Sequence, residues 1–288
     1  MERRTFFYFV GPSVVIMLLL MVAPLIAAVI LGFHSITLRN VTAPTWVGFE
    51  NYAYMLSDSG FWKALQFTLI YIAVTVPIQI VLGLIVALLL DQVRAFRGIY
   101  IAATLLPFIV TPIVGTLVFR QTFDRYGIYP YLLDHVLGID INFFTKGNIP
   151  FLVFLHAIWY VTPFAVVTFF AGLQTIAEEP LEAALVDGAN WFQRLWYVVI
   201  PGLRSLFVFV ALINIMDAYR VFDSIFVITK QNPIYDNIET LMYYNYKVAV
   251  SFQQLGRANA MSVLTVIGIF IILIPFLYMT YKQQRESR

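Results

Sequence analysis

"EAALVDGANWFQRLWYVVIP", residues 182–201, is the stretch on which the fold turns. It lies between long apolar runs and carries two carboxylates, a glycine and a closing proline. Just upstream, Pro180 suits a first helical turn, where its missing N–H is not needed. Leu181, Ala184 and Leu185 recur at i, i+3 and i+4, while Glu178 and Glu182 fall on another face. Gly188 is a natural stop, because glycine accepts the left-handed conformation at a helix end. Asn190 can cap a second helix, with Gln193 in the capping-box position. Trp191, Phe192, Leu195, Trp196 and Val199 then form one broad apolar stripe, and Pro201 is expected to end it. Two short helices meeting at a glycine elbow are predicted. Periodicity leaves two uses open: a helix lying in lipid headgroups, or a helix docking in a partner's groove.

The composition says what surrounds the elbow. Of 288 residues, 61% are hydrophobic and only 12% charged, whereas soluble domains run at about a quarter charged. An aromatic share of 17% fits a chain with two membrane interfaces, which Tyr and Trp favour. The absence of Cys excludes a disulfide framework and a thiolate metal site. A net charge of +2 offers nothing to nucleic acid. The uncharged run from Thr5 to Leu38 exceeds a signal-peptide core and reads as a retained span.

A span needs about 20 apolar residues. Thr5–Leu38, Ala64–Leu90, Gly98–Phe119, Gly147–Ala177 and Ala258–Tyr281 meet that without Asp, Glu, Lys or Arg. A sixth window, Leu206–Ile228, contains Asp217, Arg220 and Asp223. The expectation is an all-α membrane protein of six helices with both termini on one side. Lys and Arg are denser in the short segments on the N-terminal side, which favours cytoplasmic termini. The elbow then faces the cytoplasm, and loops near 39–63, 120–146 and 229–257 face outward.

Charges inside a span must face a cavity or each other. On one continuous helix Arg220 lies about 60° from both Asp217 and Asp223, so both carboxylates can reach it. Asp217 would sit about 16 Å into a core about 30 Å thick. Three readings stay open for this ladder: an internal bridge that pins the helix, contacts to a solute's hydroxyls, or an outer gate. Asn214 and Tyr219 can join it, and Gln79, Trp159 and Tyr160 are further pathway candidates. His156 reads as a satisfied core histidine. His34 and His156 stand on different spans without a nearby carboxylate, which makes poor haem or proton-relay chemistry.

The quoted stretch resembles the signature loop of permease subunits of binding-protein-dependent ABC importers, E-A-A-x3-G-x9-I-x-L-P. Glu182, Ala183, Ala184, Gly188 and Pro201 match by identity and spacing, Asp187 and Ala189 complete the D-G-A form, and Val198 and Ile200 are conservative departures. "NYAYMLSDSGFWKALQFTLIY" (51–71), "FRGIYIAATLLPFIVTPIVGTLVFR" (96–120) and "DAYRVFDSIFVIT" (217–229) are similar to the maltose-type carbohydrate branch. The likeness runs over roughly residues 7–285, and resembles the first permease of a heterodimeric pair. Where that branch often continues with G-G-P, this chain reads "TKQNPIYDNIET". The resemblance implies a type I importer permease fold: residues 1–63 carry the first span and its outer loop, and 64–288 a five-helix core with a coupling loop at 178–201. It implies a bacterial or archaeal cytoplasmic membrane, a second homologous permease, two ATPase subunits and an extracytoplasmic solute-binding protein. Glu182 is then expected to pair with a basic group on the ATPase, with Gly188 forming the elbow and Trp191, Phe192 and Leu195 filling the socket. The solute is expected to be a sugar or polyol, with a sugar phosphate as the alternative. No G-x-x-x-x-G-K-[ST] occurs, so ATP and Mg belong to the partner subunits and this chain needs no cofactor of its own. Neither H-E-x-x-H nor G-x-S-x-G is present, leaving no hydrolase signature. The rival from another class is an ion-coupled secondary transporter using Asp217, Arg220 and Asp223 as a relay.

Overall fold

The computed structural model describes residues 3–230 and 232–286. Among them, helices covering Tyr8–Gly32, Ser59–Gln92, Ile149–Leu173 and Leu255–Met279 are long and apolar enough to cross a membrane. Two more candidate spans are bent pairs, Arg97–Ile109 with Pro112–Leu137 at 98° and Trp191–Gly202 with Arg204–Tyr219 at 67°. The elements in order include α1 (Arg3–Gly32), α2 (Glu50–Ser57), α3 (Ser59–Gln92), α4 (Arg97–Ile109), α5 (Pro112–Phe123), α6 (Ile128–Leu137) and α7 (Ile149–Leu173). There follow α8 (Glu178–Val186), α9 (Trp191–Arg194), a π-turn (Leu195–Val199), α10 (Ile200–Gly202), α11 (Arg204–Tyr219) and α12 (Asp223–Thr229). A 3₁₀ stretch (Pro233–Ile238), α13 (Leu241–Tyr246), a second π-turn (Lys247–Ser251) and α14 (Leu255–Glu286) complete the described chain. A two-stranded ladder pairs His34 with Trp46 and Ser35 with Thr45.

By contact the chain forms two compact units, Met1–Trp62 with Tyr244–Ile271, and Lys63–Tyr243 with Ile272–Arg288. In the first, the Asn51 amide donates to the carbonyls of Gly32 and His34, both at 2.9 Å, which takes up acceptors freed where α1 stops. The Arg257 guanidinium lies 3.5 Å from the centroid of Tyr54. His34 is spent locally, its Nδ1 bonded to the Ile30 carbonyl at 2.8 Å. The apolar residues of α1 are largely exposed, the pattern of a helix whose solvent is lipid.

The second unit has its own core of Leu84, Ala87, Ala165, Phe169, Leu203 and Val210. Helices α3 and α7 approach so closely that a Cβ on Gly83 would lie 2.5 Å from that of Ala165, so only glycine fits there. Two expected spans depart from continuity in this unit. The third window breaks after Ile109: Thr111 is extended (φ −57, ψ 141) ahead of Pro112, as proline's ring demands of its predecessor. The carbonyl of Val110, freed by the break, accepts from the Tyr160 hydroxyl at 3.1 Å. The window from Leu206 to Ile228 stops being helical at Tyr219 and resumes at Asp223, with Phe222 non-helical at φ −132, ψ −55. There the Thr240 hydroxyl donates to the Val221 carbonyl at 2.8 Å. The expectation of one helix from Leu206 to Ile228 is thus corrected, and with it the angular argument for the charged ladder. Pro201 does not end its helix either: it sits in α10, and the chain turns only at Leu203 (φ −93, ψ 7). The π-turn before it has already interrupted the α-helical ladder, so the missing N–H costs nothing there.

Candidate functional site

The elbow at 178–201 forms by local bonds. Gly188 takes φ +77. The N–H of Gly188 bonds the Leu185 carbonyl at 3.0 Å, and that of Ala189 the Ala184 carbonyl at 2.9 Å. These are the two bonds of a Schellman closure. Asp187 adds a bond to the Ala183 carbonyl at 3.0 Å. On the far side, the Gln193 N–H donates to Asn190 Oδ1 at 2.9 Å and the Asn190 N–H to Gln193 Oε1 at 2.7 Å, a complete capping box.

The expected single stripe divides into two sides. Leu195 and Val199 turn inward with Arg194, lining a pocket of about 200 Å³ against Leu88, Asp91 and Leu173, with the exposed Trp191 also on its border. Phe192, Trp196 and Tyr197 turn outward and are 74%, 67% and 75% exposed. With Leu185 and Val186 they form an exposed apolar surface. Glu182 is exposed beside it.

A second site lies where both breaks meet. A cavity of about 470 Å³ is lined by Tyr71, Gln79, Phe108, Thr116, His156, Tyr160, Asn214, Asp217, Arg220, Asp223 and Ser224, among others. Sequence candidates Gln79, Tyr160, Asn214, Asp217, Arg220 and Asp223 are brought together here. Trp159 and Tyr219 are not: Trp159 packs on Phe119 at 5.4 Å, and Tyr219 is buried away from the lining. Arg220 bonds Asp217 at 2.6 and 3.0 Å, while Asp223 opens α12 and makes no ion pair among the described residues. The ladder is therefore a pair plus a separate carboxylate. Its guanidinium is 71% exposed, so the pair contributes at most about 1 kcal/mol in water.

The cavity's buried wall has a fixed polarity. Gln79 Nε2 donates to the Ala157 carbonyl at 3.1 Å, an atom that only accepts. Gln79 Oε1 is then the acceptor left for Asn214, whose Nδ2 donates to it at 3.0 Å. Asn214 Oδ1 remains, buried and without a partner in the chain. The Thr116 hydroxyl spends its proton on the Pro112 carbonyl at 2.7 Å. His156 Nε2, at 3.0 Å from the same oxygen, must carry the hydrogen that this contact requires. Neutral His156 thus presents Nδ1 as a bare acceptor, also buried and unpartnered. His156 and Asn214 both belong to the lining of one cavity, while the two acceptor atoms themselves are buried beneath its surface.

His156 was not legible as part of the cavity lining, and its reading as a satisfied core histidine is corrected: one nitrogen is satisfied, the other is not. The available signal was its spacing of four from Tyr160, which puts both on one face of α7. Their rings stack at 5.7 Å and 10°.

Comparison with known proteins identifies the family and the fold. Residues 52–288 match the family described as "Binding-protein-dependent transport system inner membrane component". The inner membrane ABC transporter permease protein YcjO of Escherichia coli is 31% identical over 269 residues, covering 92% of this chain and 90% of that one. The trehalose/maltose transport system permease protein MalF of Thermococcus litoralis is 28% identical, covering 100% and 96%. A bacterial ABC transporter involved in import of the acidic polysaccharide alginate has a chain that superposes with a TM-score of 0.79 at 16% identity, covering 96% of this chain and 94% of its own. The likeness in structure shows the shared fold. With the signature loop folded as an exposed elbow and more than half of the chain matched, the protein belongs to the family of binding-protein-dependent transport system inner membrane components.

Proposed function

We infer that this chain is the membrane subunit of an ATP-driven importer for a neutral carbohydrate or small polyol. The observation that carries the reading is one cavity whose lining holds Asp217, Arg220 and Asp223 together with Tyr160 and Phe108. A solute rich in O–H groups donates to the two carboxylates and accepts from Arg220. Tyr160 and Phe108 give apolar aromatic surface for a sugar ring. A sugar phosphate fits poorly, because its anionic oxygens would meet two carboxylates, with Arg220 as the cation in the lining. Relatives named for trehalose, maltose and arabinooligosaccharide transport support the carbohydrate class.

In this reading the termini and the elbow are cytoplasmic. The exposed face of Leu185, Val186, Phe192 and Trp196 docks in a partner ATPase, with Glu182 against a basic group at its edge. A second permease completes the pathway, and a binding protein delivers solute from outside. A relative's structure in complex with an alginate-loaded periplasmic protein supports that delivery. ATP-driven closure of the ATPases pulls on the elbow, and the cavity switches from outward to inward access. This chain holds, orients and releases the solute, and hydrolysis belongs to its partners.

The test is reconstitution in proteoliposomes with the partner subunits and a panel of sugars, polyols and sugar phosphates. Neutral members of the panel are expected to stimulate ATPase and uptake. Stimulation confined to phosphorylated solutes would overturn the assignment of a neutral substrate. Uptake that survives ATP depletion and collapses with uncoupler would overturn the importer.

A further inference from the structure

The two broken spans each leave an outer half-helix, α5 after the break at Val110–Thr111 and α12 after the break at Arg220–Phe222. Both breaks line the same cavity. The half-helices pack together, and one side chain ties their ends. Arg120, in the last turn of α5, donates from Nε to the Ile228 carbonyl in the last turn of α12 at 3.2 Å. Its guanidinium also lies 4.9 Å from the ring centroid of Phe144. The loop carrying Phe144 is held in turn: the Tyr235 hydroxyl donates to the Phe144 carbonyl at 2.9 Å, and the Asn237 amide to the Lys146 carbonyl at 3.2 Å.

Arg120 is half-buried and makes no ion pair among the described residues. Its surroundings instead offer what a flat cation recognises: an aromatic face and the negative ends of two helices. A lysine would supply the charge but not the planar fork that stacks and donates at once. The helices on either side of Arg120 are interrupted at the cavity and joined at their far ends.

We propose that Arg120 is a positioning residue that makes α5 and α12 one leaf, hinged at the two breaks, which closes the cavity toward the outside. This rests on the importer reading and its orientation. With the leaf intact, opening requires both half-helices to move together, which suits a step driven by a docked binding protein. With the tie cut, each half-helix fluctuates alone and the cavity opens without that partner.

The experiment uses the assembled transporter in proteoliposomes and compares wild type with Arg120→Gln and Arg120→Lys. ATPase without binding protein is expected to rise roughly tenfold in Arg120→Gln, or about 1.4 kcal/mol of closed-leaf stability, and by less in Arg120→Lys. A second readout does not depend on the solute. Because the natural chain has no Cys, Ser224→Cys places a lone thiol in the cavity lining, and an impermeant maleimide should label it faster from outside when Arg120→Gln is added. If neither ATPase nor labelling changes while thermal stability falls, Arg120 only stabilises the fold and the proposal is overturned. If labelling rises but no carbohydrate stimulates ATPase, the leaf stands and the substrate reading fails. Should Arg120→Gln not insert, Phe144→Leu removes the ring under the guanidinium and must raise labelling in the same direction; an unchanged rate overturns the proposal.

Discussion

The elbow and the cavity are built by opposite means. The elbow's closing bonds span three to five residues, from Leu185 to Gly188, Ala184 to Ala189 and Asn190 to Gln193. The cavity's bonds join Thr116 to His156 and Gln79 to Asn214, separated by 40 and 135 residues. The elbow exposes apolar side chains, whereas the cavity is lined in large part by polar and charged ones. In the proposed reading the difference has a reason: a docking element must keep its shape when its partner leaves, and local bonds provide that. A solute site must change access, and this cavity lies where two helices are already interrupted and where no single segment determines it.

The comparison predicts different failures. At the elbow, Glu182→Ala should reduce uptake by tenfold or more with insertion unchanged, because a partner charge is left uncompensated on docking, at about 3–5 kcal/mol for a buried pair. Normal uptake would show that Glu182 does not couple to the ATPase. In the cavity, Asp223→Ala should raise the solute KM about tenfold, the effect of losing one charged acceptor at about 1.5–3 kcal/mol. Solute-stimulated ATPase at saturation would be affected less; an unchanged KM would take Asp223 off the solute's path.

Asp217→Asn separates the readings of the charged ladder. Retained basal ATPase with uptake reduced several-fold places Asp217 on the pathway, and unchanged uptake assigns the Asp217–Arg220 pair to pinning the end of α11. The smallest effect is expected from Asn190→Ala, which removes a cap worth about 1 kcal/mol. Amide exchange at residues 191–194 should quicken, and transport should fall by no more than a few-fold. A total loss of uptake would mean that the second elbow helix is less independent than its local bonds imply.

The elbow was readable because its causes are local. Pro180, Gly188, Asn190 and Gln193 each act within one turn, and no distant contact overrides them. What escaped there was the π-turn at Leu195–Val199, after which Pro201 sits inside the helix and does not end it. A π-turn has no residue signature of its own. In the cavity, Pro112 announces the first break through the geometry it imposes on Thr111. The second break, at Arg220–Phe222, has neither proline nor glycine and coincides with a hydroxyl from Thr240.

By itself the sequence determined the membrane class, the approximate spans and the elbow, because hydropathy, capping and glycine stops act over a few residues. The tertiary structure alone decided that His156 lines the cavity while Trp159 and Tyr219 do not, and that Arg220 bonds Asp217 and not Asp223. Those outcomes depend on which helices come together, and a helix's own periodicity holds no record of its neighbours. The direction of the Gln79–Asn214 hydrogen bond follows the same logic, since it is set by the Ala157 carbonyl, which only the fold places beside Gln79. Thr116 is oriented locally, by the Pro112 carbonyl four residues back on α5, but only the fold brings His156 to it.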